Sequence, residues 1–167
     1  MKEIQLTQGY VALVDDEDFE RVSAYKWSVN TVTKKDGSVI TYAKRNARRD
    51  VGEKIWCMHR LILGVTDPKV EVDHEDHDGL NNQRYNLRVA SGSQNQHNAR
   101  IRSDNTSGFK GVSWHKQHKK WITRIQVEGK MLHVGLFTDL LEAACAYDMA
   151  AIKHHGEFAS TNFAEAS

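Results

Sequence analysis

Residues 109–156 carry the pattern that most restricts what this chain can fold into. Three segments in it are rich in β-forming residues: 109–114, 121–127 and 131–137. Glu128-Gly129 between the last two predicts a tight hairpin turn. Asp139 lies three residues before Glu142, the spacing of a helix capping box, and Gly156 stands where a helix C-cap belongs. These features predict a three-stranded antiparallel sheet followed by one helix.

The side-chain alternation in this region predicts which face of the sheet meets the helix. On the second strand, alternate residues share a face. One predicted face consists of Trp121, Thr123, Ile125 and Val127, and the other of Ile122, Arg124 and Gln126. On the third strand, Leu132 and Val134 point one way and Met131 and His133 the other. The first set can pack on the helix, whose apolar stripe is built mostly from alanine.

The composition excludes several classes of protein. The chain has 167 residues, 40% of them hydrophobic and 27% charged, which suits one ordinary domain or two small ones. No apolar run approaches the ~20 residues of a membrane helix, and the first residues lack an apolar signal core. Cys57 and Cys145 show no zinc-type pairing. We therefore expect a folded protein in the cytoplasm, neither secreted nor bound to a membrane.

Positive charge is concentrated between residues 101 and 130. Seven basic residues there face two acidic ones, for a net charge of +5, although the whole chain carries only +1. Trp114 and Trp121 lie in the same stretch. Such a patch indicates a phosphate-binding surface, while the alternative is an ordinary solvated face.

The first half of the chain is predicted to be rich in strands. Residues 1–56 contain a strand-rich segment at 5–14 and turn signals at 35–37 and 50–52, which together favour a small antiparallel meander. A short helix over 16–25, capped by Asp16, interrupts it. Residues 58–63 predict another helix, which ends at Gly64.

Residues 70–100 predict a strand, a polar loop, a second strand and a helix. The strand signals are at 70–72 and 87–90, and Ser91 with Gln94 has capping-box spacing. The polar segment 101–106 is the predicted linker. We thus expect an α+β protein with a first domain over 1–100, divided into 1–57 and 58–100, and a second domain over 107–163.

This strand–loop–strand–helix segment carries a candidate catalytic group. A neutral histidine such as His74 can remove a proton from water near neutral pH. Asp73 and Asn95 offer a carboxylate and an amide oxygen, which are the donors that a hard divalent cation prefers. Phosphodiester hydrolysis needs both an activated water and relief of charge on the leaving oxygen. Asp73 and His74 can converge on one phosphate only if the strand ends there, because neighbours on a strand point to opposite faces.

The segment VDHEDHDGLNNQRYNLRVASGSQNQHN resembles the HNH nuclease motif in its ββα-metal form, with Asn in the third place. Residues 4–100 are similar to the front half of phage-type HNH homing endonucleases. The resemblance implies His74 as general base, Asn86 as the residue that holds the loop, and Asp73 and Asn95 as ligands of one Mg²⁺ or Mn²⁺ ion. His77, Asp78 and His97 remain open as further ligands. We expect His59 to be a packed or capping histidine.

Residues 107–163 resemble a second family, the AP2/ERF DNA-binding domain. The shared marks are FKGV, W-x-x-R-I, G-x-F, the EAA…AYD helix and the closing NF. The resemblance implies that the sheet enters the major groove of double-stranded DNA while the helix supports its back. The candidate DNA-binding residues are Lys110, Ser113, Trp114, Lys116, Lys119, Lys120, Arg124, Gln126, Met131 and His133. Trp114 could stack on a sugar or pack in the domain.

These features favour a metal-dependent DNA endonuclease of a homing or mobile-element type that nicks one strand. No obligate protein partner is evident. A non-catalytic DNA-binding regulator is the main alternative, and an RNA-acting or restriction-type HNH nuclease is a third.

Overall fold

A computed structural model of the chain describes residues 1–33, 39–45, 56–98, 101 and 104–163. Short antiparallel strands and a few helices make up this part of the chain, so the predicted α+β class is confirmed. Residue contacts divide the chain into two units, Met1–Ser91 and Gly92–Ser167. None of the helices in the described ranges is long and apolar enough to cross a membrane.

The first unit starts with two small sheets in place of the single predicted meander. Strands β1 (Lys2–Gln5) and β2 (Val11–Val14) form an antiparallel pair. Helix α1 (Asp16–Ser23) follows, and then β3 (Ser28–Thr33), β4 (Val39–Arg45) and β5 (Trp56–Cys57) form a separate antiparallel sheet in that order. The predicted antiparallel meander is confirmed for β3–β5, whereas β1 and β2, which precede α1, form a separate pair. The turns predicted at 35–37 and 50–52 lie outside the described residues.

The N-cap of helix α1 is one residue earlier than predicted. Asp15 is the N-cap and Asp16 the first helical residue. The Asp15 carboxylate makes no capping hydrogen bond; it accepts from the backbone N–H of Arg84 at 2.7 Å and from Gln83 at 3.1 Å. Asp16 instead pairs with the amino group of Met1. Tertiary contacts therefore use both carboxylates that could have capped the helix.

The second half of the first unit carries the candidate catalytic segment. Helix α2 (Met58–Leu63) ends at Gly64, whose φ of 68° is left-handed as the predicted C-cap requires. Strands β6 (Glu71–His74) and β7 (Leu87–Ala90) pair antiparallel, with His74 opposite Leu87. Strand β6 thus runs two residues beyond its predicted end, because its ladder with β7 continues to His74.

One apolar cluster connects the elements of the first unit. Its buried members are Ile4, Leu6, Ala12, Val14, Val22, Trp27, Ala43, Met58, Ile62 and Leu87. The indole N–H of Trp27 donates to the backbone oxygen of Val22 at 2.8 Å, so the large ring is buried without leaving its polar atom unsatisfied. Because Leu87 belongs to this cluster, the core also anchors the strand that pairs with β6.

The second unit has the predicted sheet and helix. After α3 (Gly92–His97), strands β8 (Val112–His115), β9 (Lys120–Val127) and β10 (Lys130–Phe137) form an antiparallel sheet with β9 in the centre. Helix α4 (Leu140–His155) follows. Its cap is as predicted, since the Asp139 carboxylate accepts from the Glu142 N–H at 2.8 Å. Helix α3 contacts the 3-10 turn Gly156–Phe158 of the same unit. The predicted domain limits and the 101–106 linker stay predictions.

Small side chains allow α4 to lie close to the sheet. Ala143, Ala144 and Ala151 are fully buried, and the Thr123 hydroxyl on β9 donates to the Ala143 carbonyl at 2.9 Å. Gly111, with φ of +73°, lies so close to Tyr147 that an added Cβ would stand 2.0 Å from its ring. This contact explains the glycine in FKGV.

The closing NF sequence is held by a buried carboxylate on α4. Asp148 accepts hydrogen bonds from the N–H groups of Asn162 and Phe163 and from the Asn162 side chain, at 2.7 to 3.0 Å. Asn162 in turn accepts from the Lys110 N–H at 2.6 Å and donates to the Lys110 carbonyl at 3.2 Å. The segment before β8 and the segment after α4 are thereby joined side by side.

Candidate active site and nucleic-acid interface

His74 is the last residue of β6 and is 6% exposed. Its ring lies 5.0 Å from that of His59 and 5.8 Å from that of Tyr42, between centroids. Burial lowers the pKa of His74, while the Asn82 side chain and nearby aspartates act in the opposite direction. The imidazole is therefore neutral near pH 7, the form that can accept a proton.

His59 is packed against His74, as expected for a histidine outside the catalytic set. It is buried on α2, and its ring meets His74 edge to face, at an interplanar angle of 88°. Burial, with smaller contributions from His74 and Arg60, lowers the pKa of His59 to about 3. Tyr42 closes the group, 5.6 Å from His59. No local pattern pointed to Tyr42, because it belongs to β4, a strand far from His74 along the chain.

Asp73 is also buried, and a guanidinium group contacts its carboxylate. Arg88 Nε and Nη2 lie 2.9 and 2.8 Å from Asp73 Oδ2. The two residues are directly opposite in the β6–β7 ladder. Sequence reasoning missed Arg88, although the register of two neighbouring strands could have suggested it.

The side chain of Asn86 fixes the loop that follows His74. Its Oδ1 accepts from the Asp76 N–H at 2.9 Å, and its Nδ2 donates to Asp76 Oδ1 at 2.9 Å and to the Asn81 carbonyl at 2.8 Å. Its backbone oxygen accepts from the Glu75 N–H at 3.0 Å. These contacts are what a loop-holding residue would make, and the predicted role of Asn86 stays a prediction.

Acidic residues in the loop have structural partners. Burial raises the pKa of Asp76, but hydrogen bonds from the Asp78 N–H and from the side chains of Asn81 and Asn86, together with the charge of His74, outweigh it and lower the pKa. The Asp78 carboxylate accepts from the Leu80 N–H at 2.9 Å. Asp78, one of the ligands left open by the sequence, thus helps to shape the loop.

Gly79 allows the loop to lie directly on β4. A Cβ at this position would stand 2.4 Å from the Thr41 carbonyl and 2.6 Å from the Tyr42 ring. On the other side, the Leu13 N–H donates to the Leu80 carbonyl at 2.9 Å, and the Asn82 N–H to the Leu13 carbonyl at 2.8 Å. The loop is therefore attached to two different sheets of the first unit.

The acidic run at the start of α1 anchors the far end of the loop. Asp18 is buried, and Arg84 donates to it through Nε at 2.7 Å and Nη2 at 2.9 Å. Arg21 contacts the same carboxylate at 2.8 Å. The sequence showed the acidic run but not its role, because the partners are 66 residues apart.

Asn95, the other predicted metal ligand, is on α3 and is partly buried. It belongs to the second unit, whereas Asp73 belongs to the first, so their meeting at one ion stays a prediction. The His97 side chain lies outside what the structure describes. Across the described ranges, no group of three or more His, Cys, Asp or Glu side chains is placed to hold a metal ion.

Five of the predicted DNA-binding residues share one face of the β8–β9–β10 sheet. The register pairs Arg124 with His133 and Gln126 with Met131, and paired residues point to the same side. We call this set, which also includes Ser113, the sheet face; its members are all exposed. The alternation prediction for β9 is correct in outline.

Two hydrophobic residues, Ile122 and Leu136, lie on the sheet face. Ile122, predicted to be free on it, is 6% exposed, because β9 is central and Ser113 and Leu136 flank Ile122 on both sides. Leu136 is exposed on the same face and was not predicted as a binding residue.

The other candidates lie elsewhere. Lys116, Lys119 and Lys120 are exposed in and beside the β8–β9 turn. Trp114 is opposite Trp121 in the β8–β9 ladder, and their ring centroids are 5.0 Å apart. Trp121 packs against the core under α4, whereas Trp114 is 46% exposed.

Lys110 lies beside Asp148 and is half-buried. Burial lowers the pKa of Lys110 to about 8, with Asp148 acting in the opposite direction.

No family model matches the chain. Over 160 residues, 93% of this chain, it is 29% identical to an uncharacterized HNH endonuclease of Acanthamoeba polyphaga mimivirus and covers 76% of that protein. Over 63 residues, it is 49% identical to an AP2-like ethylene-responsive transcription factor of Oryza sativa subsp. japonica. The chain spans only 10% of that plant protein's length. The similarities thus define an HNH-endonuclease-like chain with an AP2-like segment.

A third relative establishes the family. Protein 3.8 of Escherichia phage T7 is 38% identical over 88 residues, which are 53% of this chain and 72% of the phage protein. The chain belongs to the family of Protein 3.8.

Proposed function

We propose that this protein is a metal-dependent endonuclease that hydrolyses phosphodiester bonds in double-stranded DNA. The observation that carries the proposal is the buried, neutral imidazole of His74 at the end of β6, where a loop held by Asn86 begins. Asp73, the preceding residue of the same strand, adds a buried carboxylate. The similarity to the mimivirus HNH endonuclease over most of the chain supports it.

In this proposal His74 is the general base. A neutral imidazole next to the scissile phosphate takes a proton from the attacking water. Asn86 keeps the loop after β6 in place through its bonds to Asp76 and Asn81. The ring contacts with His59 and Tyr42 limit the rotation of His74.

Asp73 and Asn95 are the proposed ligands of Mg²⁺ or Mn²⁺. One carboxylate and one amide oxygen suit Mg²⁺, which usually keeps several waters and takes the remaining ligands from substrate phosphate. A bound divalent cation would stabilise the charge that develops on the leaving oxygen.

The sheet face and the lysine-rich turn are the proposed DNA contacts. Arg124 and Gln126 are both exposed on the sheet face. In the major groove, Arg favours guanine and Gln favours adenine. Lys116, Lys119 and Lys120 suit phosphates. A nuclease with one active site would nick, and cleavage that prompts copying by repair would suit a mobile element in a bacterial or phage-infected cell.

A second candidate function is that of a non-catalytic, sequence-specific DNA-binding regulator of transcription. The 49% identity to a plant transcription factor over the AP2-like segment favours it. Both candidates bind DNA, so only cleavage separates them.

A plasmid-nicking assay tests the proposal. Wild-type protein should nick supercoiled DNA with Mg²⁺ or Mn²⁺ and not with a chelator. His74→Ala should lose about 10²–10⁴-fold in rate, the usual contribution of a general base, and should still shift DNA in a gel. His154→Ala, an exposed histidine on α4, is the matched control. Equal nicking by His74→Ala refutes the base, and no nicking by the wild type favours the regulator.

A further inference from the structure

The carboxylate of Asp73 already has a cationic partner. Arg88 contacts Asp73 Oδ2 through two nitrogens at 2.9 and 2.8 Å, and the side chains are only 14% and 6% exposed. Their positions opposite each other in the β6–β7 ladder fix this pairing through the backbone. The pair is therefore a built part of the sheet and not a chance surface contact.

A buried carboxylate needs a counter-charge, and two cations cannot share it without repelling each other. A guanidinium and a divalent ion within a few ångströms of one carboxylate would leave a net positive charge of about +2 in a poorly hydrated place, which is costly. We propose that Arg88 is the resident counter-ion of Asp73, and that a divalent cation binds there by displacing it. The inference rests on the proposed function, because it takes Asp73 as a metal ligand.

A second carboxylate, that of Glu75, lies near the Arg88 guanidinium. Glu75 Oε2 lies 3.9 Å from Arg88 Nη1, and the Glu75 side chain is 62% exposed. A short movement toward the solvent brings Arg88 within reach of this second carboxylate. Exchange of partners therefore needs no rearrangement of β6 or β7.

Manganese binding to the full chain without DNA tests the competition. Arg88→Gln should bind Mn²⁺ about tenfold tighter or more in calorimetric titrations, because a charge-assisted hydrogen bond no longer opposes the ion. The same variant without metal should unfold about 10 °C or more below the wild type, since the buried Asp73 carboxylate loses the guanidinium that contacts its Oδ2. Added Mn²⁺ should restore part of that loss.

Two controls separate this effect from general damage. Arg84→Gln removes a guanidinium from another buried carboxylate, Asp18, and should lower the melting temperature without a gain in Mn²⁺ affinity. Asp73→Asn combined with Arg88→Gln should lose the Mn²⁺ response.

Equal Mn²⁺ affinity of Arg88→Gln and wild type overturns the inference. If Arg88→Gln does not fold, Glu75→Gln, at an exposed side chain, removes the carboxylate that would receive the displaced guanidinium and should bind Mn²⁺ more weakly than the wild type; an unchanged affinity again overturns the inference. If the wild type does not nick DNA but Arg88→Gln still binds Mn²⁺ more tightly than the wild type, only the nuclease proposal is refuted. Normal nicking with no competition would end only this inference.

Discussion

Replacing Asn86 with alanine tests how the loop after His74 is held. The carboxamide makes three hydrogen bonds, two with Asp76 and one with the Asn81 carbonyl, at 2.8 to 2.9 Å. Asn86 is almost fully buried. Water cannot easily take over these bonds, so the Asp76 N–H and the Asn81 carbonyl would lose a partner.

The expected cost is about 3 kcal/mol in the free energy of unfolding of the first unit. Each lost bond contributes about 1 kcal/mol, and each buried group left unsatisfied adds to this. Differential scanning calorimetry on the full chain measures the transition, and amide hydrogen exchange of residues 75–82 localises it. The Asp76 amide should exchange markedly faster in Asn86→Ala, and nicking should fall because His74 is no longer held.

Asn86→Asp is the matched variant of similar size. It keeps an oxygen for the Asp76 N–H but replaces the donating amide with a second oxygen facing Asp76 Oδ1. Two adjacent carboxylates repel, and a protonated one can donate again. The loss of stability in Asn86→Asp should therefore become smaller as the pH falls toward about 4. Stability of Asn86→Ala within about 0.5 kcal/mol of the wild type, a typical surface effect, would show that these bonds do not hold the loop.

Three further predictions concern both units. The folded pKa of His59 is about 3, against 6.5 in the unfolded chain, so between these values only the unfolded chain takes up a proton and the protein becomes less stable as the pH decreases. About 2 kcal/mol of the free energy of unfolding should be lost between pH 6.5 and pH 5. Urea unfolding of His59→Gln should lack this part of the pH dependence. Gly111→Ala should cost the second unit several kcal/mol in thermal unfolding, whereas Gly108→Ala, with φ of +78° and open space around it, should cost only about 1–2 kcal/mol for its left-handed backbone; equal losses would refute the steric argument. DNA affinity should fall with salt with a log–log slope of about −4 to −5 if five basic residues meet phosphates; Lys119→Ala should reduce the slope by about 1 in a binding titration, and Lys153→Ala on α4 should leave it unchanged.

Local signals in the sequence predicted the elements whose ends depend on near neighbours. The strand at 87–90 and the Asp139 cap of α4 agree with the structure. Both depend on residues within three or four positions, where propensity and capping chemistry act directly. The division into two sheets before residue 58 was missed, because strand pairing is decided by contacts between distant residues.

The sequence motif indicated the candidate site residues, but it did not indicate the residues that contact them. A motif pointed to Asp73, His74 and Asn86, but Arg88, Tyr42 and the Asp18–Arg84 pair came only from the structure. These partners are brought together by strand register and by packing of separate elements, and no local spacing encodes either. Gly79 shows the same limit, since its need to be glycine comes from β4.

The bond between Lys110 and Asn162 joins positions 52 residues apart. Where a domain's entry and exit lie side by side, it can be spliced into an unrelated protein at a single surface position without stretching its host. Within the second unit, the segment from Lys110 to Asn162 has its two ends side by side in this way, and a chain truncated after residue 161 should lose the bond that holds them together.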